Sequence, residues 1–253
     1  MGVARVGDSS EGALLPLTLQ NTYRARYRAM RPGWQSSGDQ LEALVRSHLT
    51  PESRVLDLGC GRGGVVELFW RDVKLAAGLD PDQPSLAKYR APGMPILRGV
   101  GERLPFAGDV FDLVVCLWVL EHLKDPQTVL REVRRVLRPG GHFVFLTPNL
   151  RHPLMMLNRV GKALPKLQTR LVSRFYGRRE GDTFPVQYRA NTVSTLRELA
   201  AAGGLEVAEL RVVQDPTYLA VNGFMFTTSV VAERLMPKGW GVHLLGDLIR
   251  PDS

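Results

Sequence analysis

A short apolar run, Arg54 to Leu58, empties into Gly59-Cys60-Gly61-Arg62-Gly63-Gly64, and Asp80 ends the next apolar run. Glycine lets the backbone take φ > 0 and lets a ligand lie close against the main chain. The pattern predicts a strand, a tight turn and a helix from Val65 to Trp70. The first N–H groups of that helix are unpaired and carry partial positive charge. Such a unit belongs to a doubly wound α/β sheet that takes a nucleotide or nucleoside at the carboxyl ends of its strands.

The glycines by themselves are ambiguous. Gly59, Gly61 and Gly64 fit G-x-G-x-x-G, and Asp80 follows the first glycine by about twenty residues, as in a dinucleotide fingerprint. Asp57 argues the other way. Its carboxylate, two residues before the first glycine, faces the loop; it would repel a pyrophosphate and would suit an ammonium or a sulfonium. No Lys-Ser/Thr follows the glycines, so a P-loop is excluded. Asp57 and Asp80 also read as caps of the helices that follow them, and both readings stay open at this point.

The rest of the chain continues the alternation. Residues 1–20 carry no clear pattern, and residues 21–49 read as two helical pieces broken at Arg31-Pro32-Gly33, with Asp39 capping Gln40 to Leu49. Strands are expected at 53–58, 74–79, 95–98, 111–117 and 142–147, with helices at 64–71, 83–90 and 125–137 between them. The apolar runs are continuous, as parallel strands covered on both faces require. A helix at 192–202 capped by Thr192 and a strand at 205–213 follow; residues 224–235 read as a strand or, preferably, a helix, which leaves 242–249 as the last strand. The fold class is α/β: a doubly wound, mostly parallel seven-stranded sheet with a helical cap insertion after the fifth strand. The expected organisation is an N-terminal helical segment at 1–50 and one domain at 51–253, with the insertion at about 151–190.

Cys60 sits in a glycine loop and Cys116 in an apolar strand, so no disulfide is expected, and no metal-ligand spacing is visible. Met1 to Pro16 lacks the apolar core of a signal peptide, and no stretch approaches a membrane span. A reducing, cytoplasmic setting is the expectation.

The segments from Val55 to Asn149 resemble class I S-adenosyl-L-methionine (SAM)-dependent methyltransferases, within them the type-11 group. Val-Leu-Asp-Leu-Gly-Cys-Gly (55–61), Gly-Leu-Asp (78–80), Gly-Glu-Arg-Leu-Pro-Phe (101–106), Phe-Asp-Leu-Val-Val (111–115), Val-Leu-Glu-His (119–122), Leu-Arg-Glu-Val-Arg-Arg-Val-Leu-Arg-Pro-Gly-Gly (130–141) and Leu-Thr-Pro-Asn (146–149) arrive in order. The resemblance implies that Asp57 and the backbone of Gly59, Cys60, Gly61 and Gly63 hold the methionine part of SAM. It implies that Asp80, with Pro81 beside it, takes both ribose hydroxyls, and that Gly101 and Glu102 lie beside the adenine. The backbone of Leu117 and Trp118 would meet the amino-acid end. Family members often carry an acidic residue where this chain has Val100, so backbone, apolar contact and Glu102 are left to hold the adenine. Tyr27 and Arg31, in the N-terminal helix, are expected to reach the SAM carboxylate or to pack that helix on the sheet edge.

Methyl transfer from a sulfonium is an in-line displacement that needs placement above all and a base only where the acceptor loses a proton. Of the five histidines, His122 and His152 follow strands at the carboxyl rim and are the candidate bases. Each also reads as a packing or loop residue, and Glu121 and Asp182 are further candidates. No metal is expected.

The net charge is +8, and residues 151–190 hold nine Lys/Arg against Glu180 and Asp182, a net +7. Lys162, Lys166, Arg170, Arg174 and Arg178 recur every four residues opposite Val160, Leu164, Leu167, Leu171 and Phe175, a basic amphipathic helix. It reads either as a lid showing its charge to water or, over 159–178, as a face for an anionic membrane surface or a lipid-linked or phosphate-bearing acceptor. Nucleic acid is disfavoured because no aromatics interleave the charge. The segment Asp182 to Asn191 is expected to close over an acceptor pocket. Together these readings describe an O-methylating enzyme for a small-molecule or lipid-linked acceptor. The alternatives are a non-catalytic SAM-fold protein that binds ligand or membrane and, more remotely, a dinucleotide-dependent oxidoreductase. Oligomeric state is not legible.

Overall fold

The computed structural model describes residues 17–156, 185–220 and 222–252. The elements are α1 (Leu17–Met30), α2 (Ser37–Ser47), β1 (Arg54–Leu58), β2 (Leu75–Asp80), α3 (Gln83–Leu86), β3 (Ile96–Arg98), β4 (Phe111–Leu117), α4 (Pro126–Val136), β5 (Leu137–Pro148), α5 (Val193–Gly203), β6 (Glu206–Val213), α6 (Gly223–Leu235) and β7 (His243–Ile249). The strands form one sheet in the order β3-β2-β1-β4-β5-β7-β6. β1 pairs in parallel with β2 and β4, β2 with β3, and β4 with β5. β7 runs against β5: Gly140 N–H donates to Arg250 O, Arg250 N–H to Gly141 O, and Asn149 N–H to Val242 O. The strand order reverses between β1 and β4, which is where an open sheet of this kind leaves its ligand crevice.

The chain divides into two compact units: residues 41–147, 186–211 and 244–253, and residues 1–40, 148–185 and 212–243. In the first, Leu56, Val114, Val115, Phe143, Val144 and Phe145 are fully buried. α4 turns Val129, Leu130, Val133 and Val136 inward at helical spacing, and Asp125 caps it by accepting from Thr128 N–H. Thr192 caps α5 in the same way, and α5 stops at left-handed Gly204. In the second unit Tyr23, Tyr27, Ala220, Phe226 and Val230 form a cluster, with Tyr23 stacked 5.0 Å from Phe226.

Four local expectations are corrected. The helix after the glycine loop is a single 3-10 turn, Val65–Leu68, because Gly64 is followed by two β-branched residues with weak helix propensity. α3 spans only Gln83–Leu86, capped by Asp82. β5 begins at Leu137 and carries Pro139-Gly140-Gly141 as an irregularity between its pairing with Phe111 and with Leu113, a bulge that Gly140 permits with φ of 72°. α2 also starts earlier, at Ser37. Asp39 nonetheless takes part in its cap: its carboxylate accepts from Ser36 N–H while its own N–H donates to Ser36 Oγ, a reciprocal capping box. Of the expected cap insertion at about 151–190, residues 157–184, including the basic stretch 159–178, lie outside the described residues. No helix among the described residues is long and apolar enough to cross a membrane.

Candidate active site

The site is built where β1 ends. Asp57 sits between Gly78 of β2 and Val115 of β4 in register and is 3% exposed. Gly59, at φ of 78°, turns the chain toward β2, where Leu79 O accepts from both Gly59 N–H (2.7 Å) and Cys60 N–H (3.2 Å). A Cβ on Gly59 would stand 2.1 Å from Val119 Cγ2, so only glycine passes here. The loop then brings Gly61 N–H to Asp80 Oδ2 at 2.9 Å, while Asp80 Oδ1 accepts from Asp82 N–H at 2.8 Å. Two backbone donors therefore fix the Asp80 carboxylate and leave lone pairs on both oxygens for further donors.

Asp57 is handled differently. Its Oδ2 is buried and has no hydrogen-bond partner. Burial, then the charges of Asp80 and Glu67, push its carboxyl up to about 7. Burial also raises Asp80, opposed by its two N–H bonds. A Cβ on Gly64 would come 3.9 Å from both Asp57 Oδ2 and Leu117 Cδ2, so the missing side chain keeps space open over the unsatisfied oxygen. An orphaned carboxylate facing a glycine cradle is the donor set a cationic amino acid requires, and a fixed carboxylate at the next strand tip suits a diol. These residues fit S-adenosyl-L-methionine.

Further expected residues lie in the same unit as this pair. Trp118, straight after β4, takes φ of 59° and spends its N–H on Leu146 O; a bulky residue in the left-handed region is a conformation that clusters at functional sites. A Cβ on Gly101 would lie 3.2 Å from Val129 Cγ1, so this loop hugs α4; Glu102 beside it is half-buried. Pro81, Arg98, Gly99, Val100 and Leu104 line an open cavity of about 580 Å³. Burial raises the Cys60 thiol, so it is a packed neutral side chain whose loop contribution is its backbone.

His122 ends a 3-10 turn, Leu120–His122, with its Nε2 4.0 Å from Glu121 Oε1. The sequence reading missed what surrounds Glu121. Its Oε2 accepts from Thr147 Oγ1 (3.1 Å), Thr147 accepts from Asn191 Nδ2 (2.8 Å), and the Glu121 carbonyl accepts from Gln187 N–H and Tyr188 N–H. Residues 187–191 are thereby pinned to the turn after β4; polar Thr147 and Asn191 next to apolar runs were the only hint. Asp182 lies outside the described residues.

In the other unit, His152 is buried, accepts from Leu154 N–H on Nδ1, and is pushed down to about 4 by burial. It is neutral and weakly basic at pH 7. Tyr27 donates to Glu233 Oε2 at 2.6 Å, and Arg31 lies 3.3 Å from Glu233 Oε1. Both therefore brace α1 on α6.

Residues 56–145 match the methyltransferase domain family. Among curated proteins, a ubiquinone biosynthesis O-methyltransferase of Photorhabdus laumondii is 31% identical over 45% of this chain and 52% of its own length. A phthiotriol/phenolphthiotriol dimycocerosates methyltransferase of Mycobacterium tuberculosis is 36% identical over 38% of each chain. The chain spans about half or less of the length of such relatives. A solved S-adenosylmethionine-dependent methyltransferase from Mesorhizobium loti superposes with a TM-score of 0.57 at 23% identity, over 82% of this chain and 96% of that one. The sheet order agrees with that likeness in fold. Residues 56–145 of this chain carry a methyltransferase domain of the type-11 family.

Proposed function

We propose that this protein transfers a methyl group from SAM to a hydroxyl of a small-molecule or lipid-linked acceptor. The observation that carries the reading is Asp57: a buried carboxylate with one bare oxygen, at a strand tip, above a loop in which glycine leaves room. When bound, SAM supplies an electrophilic methyl on a sulfonium. Asp57 draws the amino-acid end into place through charge. Asp80, already oriented by Gly61 and Asp82 N–H groups, accepts from the ribose diol; each such charge-assisted bond contributes about 1.5–3 kcal/mol. Pro81 and Val100 offer apolar contact to the adenine, with Gly101 and Glu102 alongside. The backbone of Cys60 and Gly63 keeps the loop close, and Leu117 and Trp118 close the far side. Tyr27 and Arg31 act by holding α1 through Glu233.

His122 is the better of the two candidate bases. It stands partly exposed beside the Glu121 carboxylate in the turn after β4, whereas His152 is buried and held neutral. O-methylation and a lipid-linked acceptor are supported by the names of the relatives and by the basic amphipathic sequence at 159–178, which suits an anionic membrane surface. The experiment is S-adenosylhomocysteine formation from SAM over a panel of phenolic and lipid-linked alcohols, with and without anionic vesicles. Turnover on a hydroxyl acceptor is expected, and His122→Gln lowers kcat by about 10²–10⁴. SAM binding without product from any acceptor leaves the non-catalytic alternative in its place.

A further inference from the structure

We propose that His48, His142 and Asp247 form a binding site for one divalent transition-metal ion of the Zn²⁺ class, at the amino-terminal end of the sheet. Nothing in the three residues' spacing along the chain announces it. His48 follows α2, His142 lies in β5 and Asp247 in β7, and only the fold brings them together. His142 is in register with Leu113, and Leu113 with Val55, at the start of β1. The glycine loop leaves from the other end of that strand, so the two sites are separate.

The geometry is that of a ligand set. His48 Nε2 lies 2.9 Å from Asp247 Oδ2, and His142 Nδ1 lies 2.8 Å from Asp247 Oδ1. The three ligand atoms lie within 4.8 Å of one another. Tetrahedral Zn²⁺ with bonds of about 2.0–2.1 Å holds its ligand atoms about 3.3 Å apart, so coordination requires the two stacked rings to splay and turn their facing nitrogens toward one point. The two imidazoles are stacked at 3.8 Å and tilted by 26°, so their ring nitrogens face the same carboxylate side by side. Asp247 is closed off at 6% side-chain exposure, while His48 and His142 keep 19% and 21%. One side of the set therefore reaches water, which can supply a fourth ligand.

Charge favours a cation as well. Asp247 stands in His-Leu-Leu-Gly-Asp-Leu-Ile, otherwise an apolar strand with no charge of its own. Without metal, each ring donates an N–H to Asp247. On binding, the facing nitrogen of each ring gives up its proton, to the far ring nitrogen or to solvent, and lends its lone pair, so two imidazoles and one carboxylate hold the ion.

The test uses the full chain, freed of any affinity tag and stripped with chelator. Co²⁺ is titrated in, its visible d–d absorption is followed, and Zn²⁺ is then used to displace it. The expected result is one equivalent with the intense bands of a tetrahedral site, a metal-dependent rise in Tm, and affinity lowered more than about tenfold in His48→Gln and His142→Gln. Binding of S-adenosylhomocysteine stays unchanged in His48→Gln. Absence of stoichiometric Co²⁺ or Zn²⁺ binding by the wild-type chain overturns the proposal and leaves a hydrogen-bonded latch. Affinity unchanged in both folded histidine variants overturns it too.

Discussion

Two aspartates in one sheet meet opposite fates. Asp57 and Asp247 both stand in apolar strands and are 3% and 4% exposed. Burial pushes the Asp247 carboxyl up, but the bonds from His142 and His48 outweigh it and hold the group below its ordinary range. Asp57 has no such donors on Oδ2, and burial carries it to about 7. A buried carboxylate paired by the fold stabilises the chain before any ligand arrives. One left bare in a cradle stores an interaction for a ligand, at a cost in stability.

The sharpest way to break that contrast is Asp57→Asn. The folded pKa lies above the unfolded value of about 4, so the ionised side chain destabilises the protein above pH 7 and the penalty fades as pH falls from 7 to 4. Asp57→Asn is therefore more stable than wild type at pH 8, by about 1–4 kcal/mol, with the gap closing toward pH 4. The same variant loses about a hundredfold or more in SAM affinity. Urea unfolding across pH, with calorimetry of the ligand, reads both effects; a less stable variant at pH 8 breaks the comparison.

Asp247→Asn has the opposite sign. A depressed folded pKa gives stability that is present above the unfolded value and is lost as pH falls through the folded one. The variant is less stable than wild type by about 1–3 kcal/mol at pH 7, and the difference shrinks below about pH 4. Denaturation at pH 7 and pH 3 checks it. Asp80→Asn has the smallest effect. Its amide oxygen still accepts one of the two N–H groups, so stability changes by less than about 1 kcal/mol and SAM affinity falls about tenfold; a larger loss of stability would place Asp80 with Asp247 instead of with Asp57.

Much of this contrast was legible in the chain, and the limit follows range. The strands of the parallel half, β1 to β4, lie within a residue of the apolar runs, because buried parallel strands must be continuous in sequence. Asp57 and Asp80 were readable as strand-tip carboxylates because each interrupts or ends such a run beside glycine. Thr192 and Gly204 mark the ends of α5 through capping chemistry that is local. What failed was local competition or distant pairing. Gly63-Gly64-Val65-Val66 shortens the expected helix to one 3-10 turn. A Pro-Gly-Gly turn became a bulge inside β5. The Tyr27–Glu233 bond and the His48–Asp247 contact join residues 206 and 199 positions apart, and no periodicity reports such a pair. A lone Asp inside the apolar β7 run was the visible sign that a partner had to exist.

The most direct measurement is calorimetric titration of the wild-type chain with S-adenosylhomocysteine between pH 5 and pH 8, in buffers of different ionisation enthalpy. The ligand's α-ammonium pairs with Asp57 only when that carboxyl is ionised. The account predicts one-to-one binding that weakens about tenfold per pH unit below 7, with a proton released there, and neither the pH dependence nor the proton in Asp57→Asn. No heat at any pH, or binding indifferent both to pH and to that substitution, contradicts it.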